Sequence, residues 1–90
     1  MVYYTWNGGI IMERNELEKI TLQDTGLYNS NYSFSNVLRK NNITTVGQLF
    51  DDKLMNELFI NCHRATRIQL RGFVSLLKYK YLNIPMVNNY

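Results

Sequence analysis

Apolar residues recur at intervals of three and four along most of the chain, a spacing that predicts short amphipathic helices. The longest such segment runs from about residue 66 to 82, and Pro85 follows it, as is usual just beyond a helix end. Residues 62–66 form either a connector or the start of that helix. The other predicted helices cover residues 15–24 and 32–41, a short stretch with Val46, Leu49 and Phe50, and a stretch with Leu54, Leu58 and Phe59 or Ile60.

Residues with a known preference for helix ends lie at the borders of these segments. Asn15 with Glu18 three residues later fits a capping box, and Gly26 is expected to end the first helix. Thr44 or Thr45 can cap the short third helix, and Asp51 and Asp52 the next. These positions predict where each helix begins and ends.

The first residues follow a different pattern, because β-prone residues lie on both sides of Asn7-Gly8. This arrangement is a strong signal for a β-hairpin. The alternative is an extension ahead of the helices. The sequence thus predicts a mainly α fold, a compact bundle of four to five short helices with an N-terminal β-hairpin. We assign residues 1–13 to the hairpin or extension, 14–84 to the helical domain and 85–90 to a tail.

Length and composition narrow the range of functions. A chain of 90 residues forms one domain and is too short for a dinucleotide-binding fold or a barrel enzyme. Its 46% apolar content argues against disorder, and no apolar run reaches the roughly 20 residues of a membrane span. Residues 1–11 lack the features of a signal peptide. We expect a protein of the cytoplasm, or of the host cytoplasm if the chain is viral, with no membrane contact.

Residues suited to chemistry are few. Cys62 and His63 are the single cysteine and histidine, and two adjacent residues fall short of the four ligands of a closed zinc site. Neighbours on a helix diverge by about 100°, which argues against a catalytic pair. The carboxylates at Asp51 and Asp52 are explained by helix capping. We therefore expect no enzymatic activity, no metal and no cofactor.

Charge is distributed unevenly along the chain. Residues 1–57 contain five basic and seven acidic residues, whereas residues 58–90 contain five basic and no acidic residues, so the two parts carry −2 and +5. On a helix, four cations of the second part share an arc of about 60°. They are Arg64, Arg67, Arg71 and Lys78. If the helix begins only near residue 66, Arg64 belongs to the preceding turn.

Three interpretations of this arc remain open. Lysine and arginine bind phosphates and displace condensed counterions, which favours a nucleic acid, and a single row suits backbone contact better than base recognition. An acidic protein partner or a solvated face would give the same pattern. The many tyrosines allow stacking on single-stranded bases, but core packing or a homodimer contact explains them more simply.

The stretch from Asn36 to Leu49, Asn-Val-Leu-Arg-Lys-Asn-Asn-Ile-Thr-Thr-Val-Gly-Gln-Leu, resembles the C-terminal domain of the bacterial RNA polymerase α subunit. The resemblance extends from Ile20 to Leu82 and implies a helix-hairpin-helix (SAM-like) fold that binds AT-rich DNA and transcription activators. It implies a DNA-backbone contact for Asn36. Ser33 stands where that family has its minor-groove arginine, and residues 62–67 replace its glycine-containing hairpin.

Together these features predict a small non-enzymatic module that binds nucleic acid, most readily duplex DNA, in transcription or replication. The phosphate ligands would be Arg64, Arg67, Arg71 and Lys78, helped by Asn36, Arg39 and Lys40. The alternative is a protein–protein interaction module, either a SAM-like adaptor or a phage or plasmid factor that docks on the transcription machinery.

Overall fold

Two antiparallel strands and five α-helices make up the part of the chain that the computed structural model describes. This part comprises the backbone of residues 3–6 and 9–85 and the side chains of residues 15–85. The elements are β1 (Tyr3–Trp6), β2 (Gly9–Glu13), α1 (Arg14–Leu17), α2 (Ser35–Lys40), α3 (Val46–Leu49), α4 (Asp52–Ile60) and α5 (Arg64–Leu82). A single 3-10 turn, Gln23–Thr25, lies between α1 and α2. The expected mainly helical bundle is confirmed.

The N-terminal strands form a hairpin, as the sequence predicts. Tyr3 lies opposite Glu13 and Trp6 opposite Gly9, with a shift of register after Tyr4. The predicted Asn7-Gly8 turn lies outside the described residues, as does the predicted tail from Met86 onward. Both strands contact α5, and β2 also contacts α1. Because an isolated two-stranded ribbon is marginally stable in water, this packing on the helices supports it.

The predicted helix over residues 15–24 is wrong, because α1 ends after one turn. The backbone then runs beside the segment that precedes α3. The N–H of Leu22 donates to the carbonyl of Thr44 at 2.9 Å, and the N–H of Val46 donates to the carbonyl of Ile20 at 2.9 Å. Backbone groups that pair with another segment cannot also make helical hydrogen bonds, so helix formation stops here.

The four later helices agree with the sequence pattern. Asp51 caps α4 by accepting a hydrogen bond from the N–H of Leu54 at 3.2 Å, and Thr45 is the N-cap of α3. α5 begins at Arg64, so this arginine belongs to the helix. α5 ends at Leu82, and the C-cap residue Asn83 that follows has a left-handed backbone with a φ of 55°.

Every helix contributes apolar side chains to one core. Of the two residues of α4 that the sequence left open as inward-facing, Phe59 is half-buried and packs against the core, whereas Ile60 is 78% exposed. Met55, which the sequence pattern did not single out, is buried as well. Burial of one such large apolar side chain is worth about 1.5–3 kcal/mol. The buried apolar residues are Leu17, Leu22, Phe34, Leu38, Ile43, Val46, Leu49, Phe50, Met55, Leu58, Leu70, Phe73, Val74, Leu77 and Leu82.

Candidate nucleic-acid interface

The four cations that the sequence grouped all lie on α5, where they form a cationic stripe. The stripe consists of Arg64, Arg67, Arg71 and Lys78. Arg64 and Arg71 are exposed, whereas Arg67 and Lys78 are half-buried. With about 100° of rotation per residue, the four positions share one side of the helix.

Packing covers the C-terminal half of this side. Leu82 lies on the same side of α5 as the stripe and is 1% exposed. Ser75, which lies on this side between Arg71 and Lys78, is half-buried. Lys78 therefore lies next to a covered surface. The first half of the stripe is more open, and we refer to Arg64, Arg67 and Arg71 as the arginine group. It extends for about 11 Å along the helix, at a rise of 1.5 Å per residue.

Two of the arginines contact neighbouring side chains. The guanidinium carbon of Arg71 lies 4.9 Å from the ring centroid of Phe59 on α4, a cation–π contact that restricts the arginine. Arg67 lies near Cys62. Burial raises the pKa of the Cys62 thiol above its ordinary value, and the positive charge of Arg67 offsets part of that rise. The thiol is therefore neutral at physiological pH and does not neutralise Arg67.

The first turn of α5 adds positive character to the same end of the helix. His63 is the N-cap residue, and within the described chain its side chain makes no capping hydrogen bond. The first N–H groups of a helix lack intrahelical partners and attract anions. Ile60, His63 and Ala65 are exposed around this turn, so it is open to a ligand. Arg64 thus lies beside N–H groups that can also face a phosphate.

The predicted helper residues lie on α2, where Asn36, Arg39 and Lys40 are all exposed. The guanidinium of Arg39 donates a hydrogen bond to the side-chain oxygen of Asn36. The amide oxygen of Asn36 is thus paired within its own helix. Asn36 and Arg39 form one local group, which Lys40 extends along the surface of α2.

The segment that leads into α2 contacts a different side of α5. The hydroxyl of Ser33 donates a hydrogen bond to the side-chain oxygen of Gln69. Gln69 lies about 160° around the helix from both Arg67 and Arg71. The structure therefore forms two cationic groups, one on α5 and one on α2, and the α2 entry segment packs on the side of α5 opposite the arginine group.

The sequence pattern did not reveal an apolar groove of about 620 Å³ between residues 31–34 and α5. We call it the aromatic groove. The one feature of the sequence that pointed to this groove is the pair of aromatic residues Tyr32 and Phe34. Its position depends on how the two segments pack, which spacing alone does not predict. It is lined by Asn31, Tyr32, Ser33, Phe34, Gln69, Gly72, Phe73 and Leu76.

The part of the chain that the structure describes contains no group of three or more His, Cys, Asp or Glu residues that could hold a metal ion. Within that same part, no helix is both long and apolar enough to cross a lipid bilayer. Comparisons of the chain with protein-family models, curated proteins and solved structures gave no match.

Proposed function

We propose that the chain is a small nucleic-acid-binding module of transcription or replication that holds phosphates with the arginine group. One observation carries this proposal. Arg64, Arg67 and Arg71 follow one another on one side of α5, beginning at its open first turn, in a C-terminal part with no acidic residue. Guanidinium groups bind phosphate oxygens through paired hydrogen bonds, and the first-turn N–H groups favour the same anion.

The geometry of the arginine group favours contact with the backbone of a duplex. Phosphates on one strand follow each other at a rise of about 3.4 Å per base step, so a row about 11 Å long spans roughly three steps. The contact that Arg71 makes with Phe59 reduces the freedom which that arginine loses on binding. Phosphate contacts position a protein on DNA without identifying the sequence.

The glycine-containing hairpin of the RNA polymerase α C-terminal domain is replaced here by residues 62–67, which contain no glycine. Close backbone approach to a phosphate is lost with the glycine, so the side chains of Arg64 and Arg67 would make the contact at this end of α5. The sequence preference is expected to be weak. Ser33 stands at the position of the family's minor-groove arginine, and its hydroxyl is bonded to Gln69. The module would therefore hold DNA mainly through charge.

Charge reversal on α5 tests the proposal. We expect Arg64→Glu and Arg67→Glu each to raise the Kd for a fluorescently labelled duplex about tenfold, because each removes a charged hydrogen-bond donor to phosphate. Lys53→Glu is the matched control, since Lys53 is exposed on α4 and the substitution changes the net charge equally. Its expected effect is less than about twofold.

Circular dichroism of each variant establishes that it is folded before binding is compared. Equal weakening by Lys53→Glu and Arg64→Glu would mean that net charge alone governs binding. Unchanged binding in all three variants would mean that the arginine group is a solvated face, and the proposal would be wrong.

A further inference from the structure

A cavity smaller than the aromatic groove lies at the end of α2. Its volume of about 120 Å³ is below the range of about 300–1,000 Å³ that is usual for drug-sized ligands. It equals the space of a few water molecules at about 30 Å³ each, so an ion of a few heavy atoms fits it. We call this cavity the Arg39 pocket, and it is lined by Leu22, Gln23, Tyr28, Ser30, Arg39, Ile43 and Thr44.

Backbone hydrogen bonds hold the walls of the Arg39 pocket in place. The N–H of Leu22 donates to the carbonyl of Thr44 at 2.9 Å and joins two segments of the lining. The N–H of Thr44 donates to the side-chain oxygen of Gln48 at 2.8 Å. Leu22 and Ile43 are buried in the core, which fixes the apolar part of the lining. A ligand would therefore enter a preformed site and order few groups on binding.

Four side chains of the lining offer hydrogen-bond donors to a ligand. Among the residues that the structure describes, none bonds to the hydroxyls of Tyr28, Ser30 or Thr44. Arg39 donates to the side-chain oxygen of Asn36, which restricts the arginine and leaves other N–H groups of its guanidinium available. Neither Asp nor Glu is among the lining residues that the structure describes. The pocket thus combines one positive charge with several donors and no carboxylate, a set that suits an anion.

The end of α2 nearby does not cancel this positive charge. The C-terminus of a helix carries about half a negative charge, located on carbonyls without an intrahelical partner. Here the carbonyl of Leu38 accepts from the N–H of Ile43 at 2.9 Å, and that of Arg39 accepts from the N–H of Asn42 at 3.1 Å. The last turn of α2 also carries two full positive charges, Arg39 and Lys40. The local charge at the pocket is therefore positive.

We infer that the Arg39 pocket binds a phosphate monoester group, either inorganic phosphate or the terminal phosphate of a nucleic acid. A guanidinium binds two phosphate oxygens through paired hydrogen bonds, and hydroxyls can donate to the remaining one. A terminal phosphate presents three such oxygens, whereas a phosphodiester within a strand presents two. This inference does not depend on the arginine group, since no described residue of α5 lines the pocket.

Titration of the whole chain with inorganic phosphate, followed by nuclear magnetic resonance of the amides, tests this inference. At about pH 7.5 the phosphate is mainly a dianion, and saturable shifts are expected at residues 22–23, 28–30 and 43–44. The expected Kd is about 1 mM or tighter. Sodium chloride at the same ionic strength is the control for screening and should not reproduce the shifts. Shifts confined to residues 63–71, or no saturable shift, would overturn the inference.

Variants of two neighbouring cations separate the pocket from the general charge of α2. Arg39→Gln should raise the Kd for phosphate about tenfold or more, because it removes the guanidinium. Lys40→Gln is the matched control, since Lys40 is the next residue, is exposed, carries the same charge and does not line the pocket. Its expected effect is less than about twofold. Equal weakening by both variants would overturn the inference.

Two oligothymidines of equal length, one with a 5′-phosphate and one without, distinguish the sources of the phosphate. Pocket shifts with the phosphorylated strand alone would assign the site to a nucleic-acid terminus. Pocket shifts with inorganic phosphate and with neither strand would assign it to free phosphate. Equal pocket shifts with both strands would mean that the pocket does not require a terminal phosphate, and the inference would be wrong.

Discussion

At the scale of single residues, Gly47 of α3 packs directly against Glu18, the residue that follows α1. A Cβ at this position would lie 2.6 Å from Cγ of Glu18 and 2.9 Å from its backbone nitrogen. The backbone nitrogen cannot move without separating the two paired segments. We expect Gly47→Ala to lower the free energy of unfolding by about 1–3 kcal/mol, as overpacking does. Urea denaturation measures this loss.

Gly26 provides the comparison with Gly47, because glycine is favoured at this position by the backbone conformation and not by lack of space. Its φ is 72°, and nothing lies within 4 Å of where its Cβ would be. Asparagine tolerates this left-handed conformation better than alanine does. Gly26→Asn should therefore cost less than Gly26→Ala, whereas Gly47→Asn should cost more than Gly47→Ala. The same order at both glycines would contradict the assignment of a steric role to Gly47.

Cys62 gives a pH-dependent prediction. Burial raises the pKa of its thiol, and the charge of Arg67 offsets part of the rise. Because the thiolate is the nucleophile, alkylation by iodoacetamide should reach half its maximal rate at a pH above the ordinary thiol pKa. Arg67→Gln should move this midpoint further upward. A downward movement would show that Arg67 does not act on the thiol in this way.

The same shift affects stability with a definite sign. A raised pKa in the folded state means that folding favours the protonated thiol of Cys62. Its contribution to stability is fully present below the ordinary thiol pKa and is lost as the pH rises through the raised value. This loss therefore falls at alkaline pH and leaves neutral pH unaffected.

At the scale of elements, the start of α4 rests on one cap. Asp51 accepts a hydrogen bond from the N–H of Leu54 at 3.2 Å. We expect Asp51→Ala to lower the free energy of unfolding by about 0.5–2 kcal/mol. Asp51→Asn should retain most of the capping stabilisation, because an asparagine side chain can accept the same hydrogen bond. Asp52→Ala is the control, since it removes an exposed first-turn carboxylate worth about 0.3–1 kcal/mol. Equal losses from Asp51→Ala and Asp51→Asn would argue against the cap.

Helices whose caps and apolar spacing agree could be predicted from the sequence. α4 satisfies both conditions, whereas α5 has the apolar spacing and Pro85 just beyond its end but no capping side chain at its start. The structure places α4 where the pattern does and begins α5 two residues before residue 66. Residues 15–24 met the same local criteria but do not form one helix. There the deciding interaction is non-local, because Ile20 and Leu22 pair with the segment before α3, and no local pattern contains that information.

In the candidate site, too, the features set by local helical spacing could be predicted, whereas those set by packing between segments could not. Helical spacing alone places Arg64, Arg67 and Arg71 on one side of α5, and the structure agrees. The half-burial of Lys78 depends on what packs beside it, and that cannot be derived from its own helix. The aromatic groove depends likewise on how the turn before α2 meets α5.

At the scale of the whole molecule, one long helix, α5, carries five of the ten basic residues and no acidic residue. The chain has a radius of gyration of 12.8 Å, close to the value of about 12 Å expected for a compact domain of this length. α5 contacts the hairpin and contributes several buried side chains, so it organises the core as well as the charged surface. Its two opposite sides present different chemistry, arginines on one and an aromatic groove on the other.

The salt dependence of duplex binding tests the central claim most directly. Labelled AT-rich and GC-rich duplexes would be titrated with the whole chain at several salt concentrations, with fluorescence anisotropy as the readout. Three arginines on phosphates predict a log–log slope between about −2 and −3, at about −0.9 per phosphate, with similar affinity for the two duplexes. A slope near zero, or no binding even near about 50 mM salt, would contradict phosphate binding by the arginine group.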